Sequence, residues 1–330
     1  MDWSLIMENA FVEAFGPNAI IFALAGMGLN LHFGYTGLPN FGQVAFVAAG
    51  AYSVAVGVAT FGFSLWLAVF IGMMMALLLA LILGVPTLRL RADYLAIVTI
   101  AAGEIIRLGL RANSYRETTG GSDGLQAFAD AFYDLNPFSG GSYGIWVITF
   151  PANRFWVVCV GWALVGLVAL FLYLLTNSPW GRVLKGIRED EDAVRSLGKD
   201  VFKYKMQSLA IGGVLGALGG VMFAIDRQSV QPDNYSTNFT FICYTAIILG
   251  GVARVGGPIL GAMVYWFIIQ GTDVFLRQAI SNGYLDTFIA PNEVGIIKNM
   301  LTGLLLMLLV IYRPQGIIGD KEEVAVSVRR

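Results

Sequence analysis

From residue 64 to residue 88 the chain reads SLWLAVFIGMMMALLLALILGVPTL without one charged side chain, and comparable runs recur along its length. A helix crossing the roughly 30 Å hydrocarbon layer of a bilayer needs about 20 apolar residues. The runs are continuous over about that length instead of alternating over about ten residues, so they require spanning helices and exclude a barrel. Hydrophobic residues make up 57% of the 330 and charged residues 13%, and the mean hydropathy is +0.69, which excludes an ordinary soluble domain. The runs fall at 17–34, 40–61, 64–88, 93–112, 153–176, 206–225, 237–256, 258–278 and 294–312. The expectation is an all-α polytopic membrane protein, one transmembrane domain over 1–330 with about nine helices. The linker GYTGLPNFGQ at 34–43 has no charge and enough Gly and Pro to form a re-entrant break, which leaves eight or ten crossings open.

Basic residues orient these spans. Arg89, Arg91, the seven Lys and Arg of a charged island at 179–205 within a loop at 177–205, Arg254, Arg313 and the tail residues Lys321, Arg329 and Arg330 fall on one side, most of the chain's 21. By the positive-inside rule that side is cytoplasmic, with the C-terminus inside and the N-terminus outside. Segment 113–152, rich in Gly, Ser, Asn and Asp, is then an external loop, and TTGGSDGL at its start reads as a turn. The N-terminal MDWSLIMENAFVEAF carries acids and no Lys or Arg, so it is not expected to be a cleaved leader. Its helical spacing of Trp3, Ile6, Met7, Ala10, Phe11 and Ala14 suits a segment lying along the membrane surface, and a fraying end reads equally well.

Cys159 and Cys243 lie inside spans and His32 is the single histidine, so neither a disulfide framework nor a metal site is expected. Glu104 reads as the one acid well inside a span. It stands about 16 Å along a helix from Asp93, with Arg107 and Arg111 at i+3 and i+7. A carboxylate at that depth is by default a functional candidate, and a structural ion pair with Arg107 is the plain alternative. Asn30 and Gln43 join Glu104 and Arg107 as candidates for a solute path; Thr99, Thr245, Gln270 and Asn299 read as interhelical hydrogen-bond glue. Gly212, Gly216 and Gly220, and again Gly257 and Gly261, repeat at four-residue spacing, which permits close helix approach within the bundle.

The island SPWGRVLKGIREDEDAVRSLGKDVFKYK is different in kind. Ser178 and Pro179 start a helix, EDED brings negative charge to the N-terminus of a second one, and Gly198 stops it. Val183, Leu184 and Ile187 give one apolar edge, Val194 and Leu197 another. Two short amphipathic helices joined by a turn form a cytoplasmic docking knob for a soluble partner, and a solvated linker is the plainer reading.

Asp192-Ala193-Val194, followed after three residues by Gly198, resembles the E-A-A-x3-G coupling loop of bacterial ABC importer permeases. Across most of 28–319 the chain is similar to LivM-type permeases of branched-chain amino-acid importers. GYTGLPNFGQVAFVAAGAY, LRLRADYLAIVTIAAGEIIR, TTGGSDGL, the island, LGGVARVGGPILGA and YRPQGIIG stand in the family's order, with Ala92 and Gln43 where many relatives have Gly and His. The resemblance implies a bacterial cytoplasmic-membrane importer built from two homologous permeases, two cytoplasmic ATPases and an external solute-binding protein. No nucleic-acid partner is implied. It places the ATPase contact at Arg182 through Gly198, with Arg188, Glu189, Asp190 and Asp192 as its charged surface, Ala193 within the motif, and Val194 and Leu197 as buried anchors. No phosphate-binding G-x4-G-K-[ST] loop occurs, since Gly198-Lys199 has Ala193 and Asp200 where glycine and a hydroxyl are needed. The chain is therefore expected to be no enzyme and to hold no cofactor, ATP being bound by partners.

Neutral or branched-chain amino acids are the expected solutes, with urea or short amides the nearest alternative. An ion-coupled carrier using Glu104 as its relay is a different class, and it would work without ATP. An intramembrane transferase would want a His/Asp or paired-carboxylate site, against which the isolated His32 argues.

Overall fold

The computed structural model describes residues 2–90, 92–145, 148–282, 294–313 and 315–319. Five helices open the chain: α1 (Trp3–Phe15), α2 (Pro17–Asn30), α3 (Gln43–Ala55), α4 (Leu65–Thr87) and α5 (Ala92–Arg111). Two short helices, α6 (Arg116–Thr119) and α7 (Asp130–Tyr133), and the strands β1 (Leu125–Gln126), β2 (Ser142–Ile145) and β3 (Ile148–Pro151) fill the next segment. Then come α8 (Ala152–Asn177), α9 (Pro179–Glu189), α10 (Glu191–Ser196), α11 (Val201–Arg227), β4 (Ser229–Val230), α12 (Thr237–Gly250), α13 (Gly257–Ser281) and α14 (Val294–Tyr312). Helices form the body, and the strands make only two antiparallel ribbons, β1 with β4 and β2 with β3.

The burial pattern of α4 is inverted relative to a soluble protein. Ala68, Gly72, Ala76, Ala80 and Gly84, four residues apart, face the bundle, while Trp66, Phe70, Met74, Leu78 and Ile82 face outward. In lipid the large side chains lose nothing by facing acyl chains, and small ones let helices approach. The same stripe runs along α11. A Cβ on Gly212 would strike His32 and the Gly28 carbonyl, one on Gly216 the Gln43 amide, and one on Gly220 the Val47 carbonyl. The glycine stripe therefore seats α11 against α2 and α3, as interhelical packing within one bundle.

Among the described residues, five helices are long and apolar enough to cross a membrane, and α1 with α2, bent by 40° at Gly16–Pro17, makes a sixth if counted as one span. Each of the nine expected runs falls on a helix, although α5 carries Asp93, Glu104, Arg107 and Arg111, and α12, at 14 residues, is only about 21 Å long. Helix α1 neither frays nor lies across the bundle. It runs antiparallel along α13, pairing Trp3 with Phe275 and Phe11 with Phe267, because Ala10 meets Gly271 and allows the close approach.

Segment 113–152 closes over one end of the bundle. Tyr133 donates its hydroxyl to Ile225 O at 3.0 Å, Thr119 donates to Leu110 O, and Phe128 and Phe132 are buried beneath. Gly120, Gly121 and Gly124 all take positive φ, so TTGGSDGL is a turn on conformational grounds. At the opposite end the stretch after α14 donates Ile317 N–H and Ile318 N–H to Leu249 O and Gly250 O, satisfying the last carbonyls of α12. Arg91, Pro314, Lys321, Arg329 and Arg330, which entered the orientation and family readings, lie outside the described residues.

Candidate functional site

Helices α9 and α10 form the expected knob, and their caps explain their boundaries. Ser178 Oγ accepts from Gly181 N–H at 3.4 Å with Pro179 at the first helical position, and Asp190 Oδ1 accepts from Asp192 N–H and Ala193 N–H at 3.0 Å each. Gly198 follows α10 at φ +77°, a left-handed stop that favours glycine. Arg195 donates to both Asp192 and Glu191, and Lys205 at the start of α11 reaches Glu191. At the junction with α11 the Lys203 ammonium beside Asp200 holds that carboxyl below the usual carboxylate range. Its folded pKa is depressed, so the Asp200 cap of α11 is fully present at neutral pH and is lost only as pH falls through the acid range.

The two expected anchors of the knob separate. Val194 is buried against Gly186, where it holds α10 onto α9, so it is not available to a partner. Leu197 is 80% exposed on an otherwise charged surface. Arg182, Glu189, Asp190, Asp192 and Ala193 are also exposed, whereas Arg188 turns inward. The Arg188 guanidinium donates to Gly34 O at 2.7 Å as well as to Glu189, and Lys185 lies over the Tyr35 ring at 5.8 Å.

Gly34 and Tyr35 belong to a break in α2. The helix widens to a π turn over Leu31–Tyr35, the backbone leaves helical form, and α3 restarts at Gln43 inside the bundle, level with Ala25 and Gly212. Interruptions at this depth persist only where freed backbone groups and polar side chains find partners. Gln43 Nε2 donates to Ala25 O and Gly212 O at 3.2 Å, and Asn40 Nδ2 donates to Gln43 Oε1. The Asn40 amide also meets His32 Nδ1, which leaves His32 Nε2–H to donate to Leu209 O at 3.2 Å. Thr36 bonds Ser208 and Leu31 O, while Asn30 accepts from Ala253 N–H and donates to Arg254 O. Asn30 and Gln43 are thus buried and joined to backbone on two sides, fastening α2, α3, α11 and the α12–α13 turn into one knot.

Glu104 and Arg107 sit apart from that knot, so the four path candidates do not converge. The expected i, i+3 pair forms, with Arg107 Nε to Glu104 Oε2 at 2.8 Å, and Arg107 also reaches Asp233 at 3.1 Å beside Arg111. The other Glu104 oxygen accepts from the Thr237 hydroxyl at 2.9 Å and faces Thr237 N–H, placing a carboxylate at the N-terminus of α12 where the dipole favours it. Asp233 and Thr237 were missed in sequence, although Pro232-Asp233 just ahead of an apolar run is a helix-start signal. Asp273 was missed too. Helix α13 continues to Ser281, about two turns beyond it, so Asp273 is a second interior acid, bound to Arg277 at 2.7 Å and Lys298 at 3.0 Å. Among the described residues no group of His, Cys, Asp and Glu could hold a metal ion.

Residues 16–310 match the family model described as the branched-chain amino acid transport system permease component. A probable branched-chain amino acid transport permease protein LivM from Methanocaldococcus jannaschii is 28% identical over 338 residues, covering 91% of each chain. The high-affinity branched-chain amino acid transport system permease protein LivM of Escherichia coli K12 is 31% identical over 96% of this chain and 72% of its own length. Its counterpart in Salmonella typhimurium is 28% identical over the same shares.

Proposed function

The chain belongs to the branched-chain amino acid transport permease family, and from that premise we propose that it is the membrane-spanning subunit of an ATP-driven importer of branched-chain and other neutral amino acids. Its nine helical runs cross the cytoplasmic membrane, with the N-terminus outside, the C-terminus inside and the α9–α10 knob in the cytoplasm, where the basic residues concentrate. A second homologous permease, two ATPase subunits and an external solute-binding protein complete the machine, and ATP is bound by the ATPases.

One observation carries the mechanism: Arg188 joins the knob to Gly34 in the broken helix α2. A partner that seats Leu197 and then moves on ATP binding pulls α9, and α9 pulls the break, where backbone already departs from regular helix. Displacing α2 there also displaces α11 and the α12–α13 turn, because Gln43 and Asn30 bond all three. Rigid elements hinged at such breaks convert a push on one face into alternating access.

Reconstitution tests the reading. Radiolabelled leucine is expected to enter vesicles only when this chain, its partner subunits and ATP are all present; uptake by the chain alone would identify a secondary carrier. Arg188→Ala removes a charge-assisted hydrogen bond of about 1.5–3 kcal/mol. It is expected to lower leucine moved per ATP by about ten-fold, with the protein still folded. Glu104→Gln keeps an acceptor for Thr237 and leaves Arg107 paired with Asp233. Leucine uptake is expected to fall several-fold while the solute-loaded binding protein still stimulates ATP hydrolysis, and unchanged uptake would assign Glu104 to helix pairing alone.

A further inference from the structure

Helices α12, α13 and α14 line an open cleft of about 410 Å³ that begins at Asn238, next to Thr237. That volume is within the range of small-molecule sites, about 300–1,000 Å³. Its lining divides by chemistry. Ile242, Tyr265, Trp266 and Ile269 make an apolar wall, and Asn238, Thr245, Asn299 and Lys298 supply polar groups of both hydrogen-bonding senses. Amides and an ammonium on an open cleft along apolar helices are costly in a membrane, and by default they mark a functional face.

We propose that this cleft is a subsite for a zwitterionic α-amino acid with an aliphatic side chain, an inference that rests on the importer reading and assigns the solute a place within it. Lys298 supplies the carboxylate partner. Its neighbour Asp273 is shared with Arg277, so two cations meet one carboxylate and the group keeps a positive balance toward the cleft. Thr245 donates its hydroxyl proton to Phe241 O at 2.9 Å, which leaves its oxygen to accept, and with the Asn238 and Asn299 carbonyl oxygens it suits the solute's ammonium. Trp266, whose side chain contributes to the lining, holds a buried Nε1–H with no hydrogen-bond partner among the described residues.

The experiment compares leucine delivered per ATP hydrolysed by the full reconstituted assembly carrying Lys298→Met, Lys298→Arg or Asn299→Leu. Arg277 still neutralises Asp273 in Lys298→Met, so that variant orphans no acid. Lys298→Met and Asn299→Leu are each expected to lower the ratio about ten-fold, with Lys298→Arg recovering at least half of it. Asn299 is exposed, so its variant reports on the cleft even if Lys298→Met fails to assemble. A wild-type ratio in Asn299→Leu, or equal loss in Lys298→Met and Lys298→Arg, overturns the subsite while leaving the importer intact. Absence of any amino-acid uptake by the unaltered assembly overturns the importer reading and the subsite with it.

Discussion

Leu197→Asp is expected to abolish ATP-driven uptake, to below about 1% of wild type, while the protein reaches the membrane folded and in normal amount. The side chain is 80% exposed, so changing it in the isolated chain shifts stability by no more than about 0.5 kcal/mol. In the assembly the same atom would be desolvated. Burying an unpaired carboxylate where an apolar anchor belongs costs about 3–5 kcal/mol, more than a hundred-fold in affinity. Val194→Asp is the instructive contrast, because Val194 packs on Gly186 inside the knob and its substitution is expected to unfold α10 itself. Co-purification of the ATPase with each variant, alongside uptake, separates the two effects, and normal uptake by Leu197→Asp would remove the knob as the docking element.

Gly220→Val is expected to do the reverse, leaving the docking surface intact and preventing the bundle from closing. A Cβ at 220 runs into the Val47 carbonyl, a backbone atom that cannot rotate away. Nor can α11 turn to relieve the clash. Gly216 and Gly212, one and two turns below on the same face, meet the Gln43 amide, and His32 with the Gly28 carbonyl, respectively. Overpacking a well-filled core costs roughly 1–3 kcal/mol where side chains yield, and more is expected against backbone. Thermal unfolding in detergent should therefore show the variant largely unfolded. Gly166→Val, on a face of α8 with open space around it, is expected to melt within a few degrees of wild type.

Much of this molecule was legible before any coordinates. Apolar runs name the helices because backbone polar groups in hydrocarbon can be satisfied only within a segment, so length and hydropathy nearly suffice. The knob was legible for a local reason as well: Ser178-Pro179 and Gly198 act on backbone within three residues of themselves and bound the helices as expected, and Asp190, within the EDED run, is the residue that caps α10. Family membership followed from the order of motif blocks, and the comparisons bear it out.

Contacts between distant segments were not legible. Nothing near Arg188 in sequence points to Gly34, 154 residues away, and nothing near His32 announces that it locks Leu209. Val194 and Leu197 stand three residues apart in one apolar pattern, yet one closes the knob and the other faces out, because only the packing of α10 on α9 decides which edge is covered. Asp273 was missed; that it pairs with Lys298 depends on how α14 lies against α13. Local chemistry and the hydrophobic length scale located the apolar helices and the knob. Tertiary packing alone decided which polar groups meet, since hydrogen bonds and ion pairs reach only about 3 Å and residues far apart in the chain come that close only in the folded bundle.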